Sequence, residues 1–137
     1  MIVDSSALIA ILRGEPEAAR FAALLVDAFQ AGNAPRMSAA NWLEAAMVAD
    51  AGAGRTASAD FDRIVREAGI DVIAVTSEHA RSARAAFRRY GRGSGSPARL
   101  NFGDCIAYAT AATEGEPLLY KGDDFSHTDV PRAAEEG

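Results

Sequence analysis

Several residue types and patterns are scarce or missing from this 137-residue chain, and each absence excludes something. There is one cysteine, Cys105. It closes no intramolecular disulfide, so a reducing cytoplasm is the expected setting. No apolar run approaches the roughly 20 residues that a bilayer-crossing helix needs. No basic leader precedes an apolar signal segment. The expectation is an intracellular protein with no membrane partner. There is no G-x-x-x-x-G-K followed by Ser or Thr, so no phosphate-cradling P-loop. Glycines 91, 93 and 95 do not form G-x-G-x-x-G, so no dinucleotide fingerprint is present. Lysine is reduced to Lys121 beside thirteen arginines. The two histidines, His79 and His127, are not adjacent to the acids in sequence and read as surface or internally satisfied residues.

What is present is ordinary in bulk. A hydrophobic fraction of 49% and a charged fraction of 24% suit a globular domain. The length predicts one domain over 1–137 with a core that needs no staples. The net charge of −5 argues weakly against a general affinity for polyanions.

The apolar start Met1-Ile2-Val3 predicts a short buried strand ending at Asp4. Helices are expected over 5–12, from Pro16 to about residue 29, and over 39–51, 57–68, 77–90 and 102–113. Further strands are expected at 36–38, 70–75 and 117–121, with a mixed tail over the last dozen residues. The expected inward stripes are Phe21, Leu24, Leu25, Ala28 and Phe29; Leu43, Ala46, Met47 and Asp50; Phe61, Ile64 and Val65; and Ala80, Ala83, Phe87 and Tyr90. Short apolar strands separated by helices predict an α/β fold, a parallel sheet with helices on both faces. In such folds ligands gather at the carboxyl ends of the strands.

Four acids stand at or near the ends of these elements: Asp4, Glu44, Asp104 and one of the pair Asp123-Asp124. Each has a structural explanation. Asp4 is positioned to cap the helix at Ser5. Asp104 falls three residues after a candidate cap, Asn101. Asp123 and Asp124 suit a turn. Glu44 has Ala40, Met47 and Val48 as helical neighbours, so it is expected to be partly desolvated and to need a positive partner. Taken together, carboxylates brought to one sheet edge need a cation. Oxygen-only donors favour Mg²⁺ or Mn²⁺ over zinc. Such an ion points to metal-dependent chemistry, in which a bound water is activated. Ser5 and Ser6 are placed to support a carboxylate or a phosphate. Cys105 reads as a core residue because no base accompanies it.

Arg81, Arg84, Arg88, Arg89, Arg92 and Arg99 crowd into one stretch with no acid among them. Arg81, Arg84, Arg88 and Arg92 are expected on one helix face. A phosphate backbone complements such a patch. A solvated face, or a non-catalytic module that binds a partner or nucleic acid, also accommodates it. Metal chemistry at a phosphate does not by itself separate RNA from DNA.

The motifs Val3-Asp4-Ser5-Ser6-Ala7-Leu8, Ser38 through Glu44, Leu100-Asn101-Phe102-Gly103-Asp104-Cys105 and Leu118-Leu119-Tyr120-Lys121-Gly122-Asp123-Asp124-Phe125 together resemble the PIN-domain ribonucleases. More narrowly, they resemble VapC-type toxins of type II toxin–antitoxin modules. The resemblance implies a three-layer α/β/α sandwich on a short, mainly parallel sheet. It implies Mg²⁺- or Mn²⁺-dependent endonucleolytic cleavage of RNA that inhibits translation. It also implies a homodimer and a VapB-type antitoxin partner, in a heterotetramer or a larger complex. Asp4, Glu44 and Asp104 match the family's acidic positions. The family's fourth acid falls on Gly122 here, so Asp124, or alternatively Asp123, takes that place.

Overall fold

Ile2 and Val3 form the central strand of the sheet, and every other element is arranged around them. The structure is a computed structural model that describes residues 1–52 and 54–133. In chain order the elements are β1 (Ile2–Val3), α1 (Ser5–Leu12), α2 (Ala18–Gln30), β2 (Arg36–Ser38), α3 (Ala39–Ala51), α4 (Ala57–Glu67), β3 (Asp71–Ile73), α5 (Ser77–Tyr90), α6 (Phe102–Glu114) and β4 (Leu118–Leu119). A short 3-10 turn, Asp124–His127, follows. Of the mixed tail expected at the end, residues 134–137 lie outside the described residues.

The strands are parallel in the order β3-β2-β1-β4. Ile2 pairs with Arg36 on one side and Leu118 on the other. Strand alternation sends neighbouring side chains to opposite faces. Ile2 and Leu118 enter a core with Ala83, Tyr90, Leu100 and Ala107 of α5, α6 and the loop between them. Val3, Met37 and Leu119 enter a second core with Leu8, Leu25, Ala45 and Phe61 of α1 to α4. These are the three layers expected of an α/β/α sandwich.

Helix starts are set by short polar side chains. Asp4, Ser38, Thr76 and Asn101 each accept a backbone N–H two or three residues on, as preferred N-cap residues do. Two strands are shorter than their apolar runs. The stretch 70–75 yields only Asp71–Ile73, because the Ile70 N–H returns to the Val65 carbonyl (3.2 Å) and Thr76 turns to cap α5. The stretch 117–121 yields Leu118–Leu119, and the Lys121 N–H is taken by the Ser6 hydroxyl (3.0 Å).

The helix faces also differ from expectation at specific places. In α3, Asn41, Ala45, Ala46 and Ala49 are buried, while Leu43, Met47 and Asp50 face outward. Small alanines let the helix approach the sheet, which leaves the long side chains outside. In α5, Ala83 and Tyr90 are buried together with His79 and Ala86, while Ala80 and Phe87 are exposed. Phe29 ends the α2 stripe outside the core and covers Gly69.

Candidate active site

The carboxyl ends of β1, β2 and β4 and the start of α6 meet at one edge. Asp4 leaves β1 there and is 3% exposed. Its Oδ2 accepts from the Ser6 N–H (3.1 Å) and the Ser6 hydroxyl (2.5 Å). Its Oδ1 is buried and has no hydrogen-bond partner. Burial pushes the carboxyl up to about 7. The two bonds from Ser6 oppose the shift, and the charges of Asp104 and Glu44 add to it. Asp4 is therefore both a helix cap and a strained acid.

Asp104 sits at the third position of α6 in a reciprocal capping box. The Asn101 side chain accepts its N–H (2.9 Å), and its Oδ2 accepts the Asn101 N–H (3.0 Å). Burial raises its carboxyl, the bond from Asn101 opposes this, and the charges of Asp124 and Glu44 raise it further. Arg92 acts in the lowering direction.

Glu44 differs from expectation. It is exposed, and its partner is the Ser5 hydroxyl, through a short hydrogen bond, rather than a cation. Its carboxylate lies against Gly103, the residue before Asp104. Asp124 opens the 3-10 turn, and its charge reaches Asp104. Asp123, one residue earlier, lends its carbonyl to the Ser126 N–H (3.0 Å). Asp104 thus lies within electrostatic range of Asp4, Glu44 and Asp124, and Asp4 within range of Glu44, with Ser5 and Ser6 bonded to Glu44 and Asp4.

The donor chemistry fits a hard divalent cation, which prefers carboxylate oxygens. The partnerless buried Oδ1 of Asp4 fits one too, because a buried acceptor without a donor is costly. Among the described residues, no group of three or more His, Cys, Asp or Glu side chains stands ready-made to hold an ion. The carboxylates of Glu44, Asp4 and Asp104 are engaged instead by Ser5, Ser6 and the Asn101 N–H.

Two neighbours complete the edge. Asn41, 1% exposed, donates through Nδ2 to the Gly103 carbonyl (3.0 Å) and accepts from the Ser38 hydroxyl (2.6 Å). Sequence reasoning passed over it. Its signal was a polar residue three positions before Glu44, on the same helix face. Cys105 is buried, and burial pushes its thiol up to about 11, with the Asp104 charge adding to the shift. That suits a core residue and not a nucleophile.

The arginines divide. Arg81, Arg84 and Arg88 are exposed on α5, but the helix ends at Tyr90, so Arg92 is not on that face. The Arg92 N–H bonds the Leu100 carbonyl (3.1 Å), which places it next to the α6 cap. Arg89 lies over the Tyr90 ring and toward Asp129 (3.6 Å). Arg99 is exposed in the loop before α6. His79 is buried and satisfied: the Thr76 N–H donates to its Nδ1, and Nε2 meets Glu114. His127 is exposed.

Known proteins share this architecture. Residues 1–131 match the PIN domain family. The VapC ribonuclease Mb0625 of Mycobacterium bovis and ribonuclease VapC28 of Mycobacterium tuberculosis are each 50% identical over 133 residues, covering 97% of both chains. Ribonuclease VapC42 of M. tuberculosis is 46% identical over 130 residues, covering 95% of this chain and 96% of its own. The crystal structure of M. tuberculosis VapC20, a toxin that cleaves the sarcin-ricin loop, superposes with a TM-score of 0.72 at 17% identity over 98% of both chains. A toxin–antitoxin complex from Klebsiella pneumoniae gives 0.63 at 20% identity, covering 91% of this chain and 89% of the other. Those two likenesses bear on the fold, and the closer sequence matches bear on the family. The chain belongs to the PIN-domain family, in the branch of the VapC ribonucleases.

Proposed function

We propose that this protein is a Mg²⁺- or Mn²⁺-dependent endoribonuclease, the toxin of a type II toxin–antitoxin pair, which cuts cellular RNA and thereby inhibits translation. The observation that carries the reading is the buried, partnerless Oδ1 of Asp4 within range of the Asp104 and Glu44 carboxylates, with Asp124 acting on Asp104. The relatives named as VapC ribonucleases support the substrate class.

Asp4 and Asp104 would hold the ion, with Glu44 and Asp124 completing the set. A divalent ion there supplies Lewis acidity toward a phosphodiester and the water that attacks it. The chain's own residues do the rest. Ser6 fixes Asp4 through Oδ2 and leaves Oδ1 without a partner. Ser5 holds Glu44. Asn101 fixes the rotamer of Asp104. Arg92, beside the α6 cap, and Arg81, Arg84, Arg88 and Arg99 contact the RNA backbone and orient it over the acids.

Beside the acids lies an apolar face in which Leu43 is 52%, Met47 61% and Phe102 81% exposed. Phe102 and Ile106 separate two open grooves of about 480 and 410 Å³, one of which includes Phe87 and the other Leu43 and Met47. A contiguous exposed apolar surface marks an interaction site, which suits the proposed homodimer. A VapB-type antitoxin is the proposed inhibitor, in a heterotetramer or a larger complex. An arginine entering the acidic edge would replace the cation. No described helix is long and apolar enough to cross a membrane, and the proposed setting is the cytoplasm.

The test is induced expression in a bacterium with sequencing of new RNA ends, alongside purified protein on total RNA with and without EDTA. Cleavage that needs Mg²⁺ or Mn²⁺ and vanishes in Asp4→Asn is the expected result. Equal cutting by wild type and Asp4→Asn would overturn the assignment. Equal cutting of single-stranded DNA would move the protein to a broader nuclease class.

A further inference from the structure

We infer that Gly103 and Asn41 form a positioning joint that holds Glu44 at the acidic edge, so that the missing side chain at residue 103 serves catalysis and not folding. The inference rests on the nuclease reading and adds to it a residue with no chemistry of its own.

Gly103 occupies the second position of α6, and its backbone is not among those with positive φ. Nothing in its conformation asks for glycine, and alanine is the better helix former. The surroundings ask for it. A Cβ built there would lie 2.3 Å from Glu44 Oε2 and 3.0 Å from Glu44 Cδ and Oε1. That obstruction is the far end of a flexible side chain, so the helix would stay and Glu44 would move.

The other contacts hold Glu44 in that place. Asn41 and Glu44 are three residues apart on α3 and share a face. The Asn41 amide is fixed in one orientation. Its Oδ1 accepts from the Ser38 hydroxyl (2.6 Å) and its Nδ2 donates to the Gly103 carbonyl (3.0 Å), while the backbone N–H of Asn41 donates to the Ser38 hydroxyl (3.0 Å). This pins α3 to the first turn of α6. Ser5 holds Glu44 through Oε1 from the side of α1. The carboxylate is caught between Ser5 and the start of α6, where the helix dipole favours negative charge. Asp104 is the next residue along.

The experiment compares wild type, Gly103→Ala, Glu44→Ala and the double variant. Three measurements are made: cleavage of total bacterial RNA, calorimetric titration with Mn²⁺, and thermal unfolding of the metal-free protein. Gly103→Ala should unfold at the same temperature as wild type or higher. Its cleavage should fall by about 10- to 100-fold, the size of effect seen when partners that orient metal ligands are lost, and its Mn²⁺ affinity should fall as well. In the Glu44→Ala background the same substitution should cost nothing further, because the displaced group is already gone.

Wild-type cleavage by Gly103→Ala overturns the inference, and so does a lowered unfolding temperature. A loss that multiplies with that of Glu44→Ala overturns it too, since the two residues would then act separately. These failures differ from failure of the nuclease reading, in which wild type and Asp4→Asn cut RNA alike.

Discussion

Both ends of the sheet collect acids, but among the described residues direct ion pairs reach only one of the two clusters. At the amino edge, Arg36 reaches Glu114 (3.0 Å) and Glu116 (3.2 Å), and His79 Nε2 meets Glu114 (3.1 Å). The bond from His79, followed by that from Arg36, holds the Glu114 carboxyl below its usual range. At the carboxyl edge, burial drives Asp4 the other way. The chain does not lack cations near that edge. Lys121 follows β4 directly, yet it is turned to Glu15 and Glu17. Arg89 is turned to Asp129. One acidic cluster is neutralised by direct ion pairs, while on the other, among the described residues, only Arg92 acts, and without a direct ion pair; that contrast suits the proposed cation.

The comparison can be broken most forcefully at the carboxyl edge. Asp4→Asn and Asp104→Asn should each lower RNA cleavage on the order of 10³-fold, the scale of a lost electrostatic contact at a reaction centre. A gel-based assay across a Mn²⁺ titration measures it. Circular dichroism should show both variants folded.

The second test is pH. The Asp4 carboxyl stands at about 7 when folded, against a reference of 3.8. The native state therefore holds a proton that the unfolded chain has released across that interval. Stability from this group is full below about pH 4 and is lost as pH rises through about 7. Thermal unfolding in EDTA should occur at a higher temperature at pH 5 than at pH 8. Mn²⁺ should restore stability at pH 8 by binding the folded state. A metal-free chain that gains stability between pH 5 and 8 would show that the acids are already compensated.

Arg36→Ala should produce the opposite pattern to the aspartate variants. Cleavage should be unchanged, while unfolding drops by about 4 °C, for roughly 1 kcal/mol from a partly buried ion-pair network. The smallest effects belong to single arginines. Arg84→Ala should weaken RNA binding and reduce the salt dependence by about one unit of slope. Arg89→Ala should change it less, since Arg89 is engaged by Asp129 and the Tyr90 ring. Filter binding at several salt concentrations distinguishes the two.

The element order and the parallel sheet were legible because short apolar runs, caps and turn residues agree. Asp4, Ser38, Thr76 and Asn101 announce their helices locally. Side-chain direction was less legible where apolar residues occupy two faces. Leu43, Met47 and Phe87 satisfy a helical stripe, yet alanines take the buried side, so periodicity alone cannot choose the inward face. The acids could be picked out one by one, but their environments could not. Glu44 read as the acid in need of a cation, yet its partner is a hydroxyl from α1, thirty-nine residues away. Asn41 escaped because its partner, the Gly103 carbonyl, is a backbone atom that no sequence pattern marks.

The capping box at the start of α6 has a consequence for how this protein fails. Asp104 lends Oδ2 to the Asn101 N–H, and an asparagine in its place keeps an oxygen able to accept the same bond. Disarming the molecule therefore leaves its scaffold standing. On the proposed reading, an Asp104→Asn change would silence the chain, and the silenced chain would still fold and keep the same apolar face.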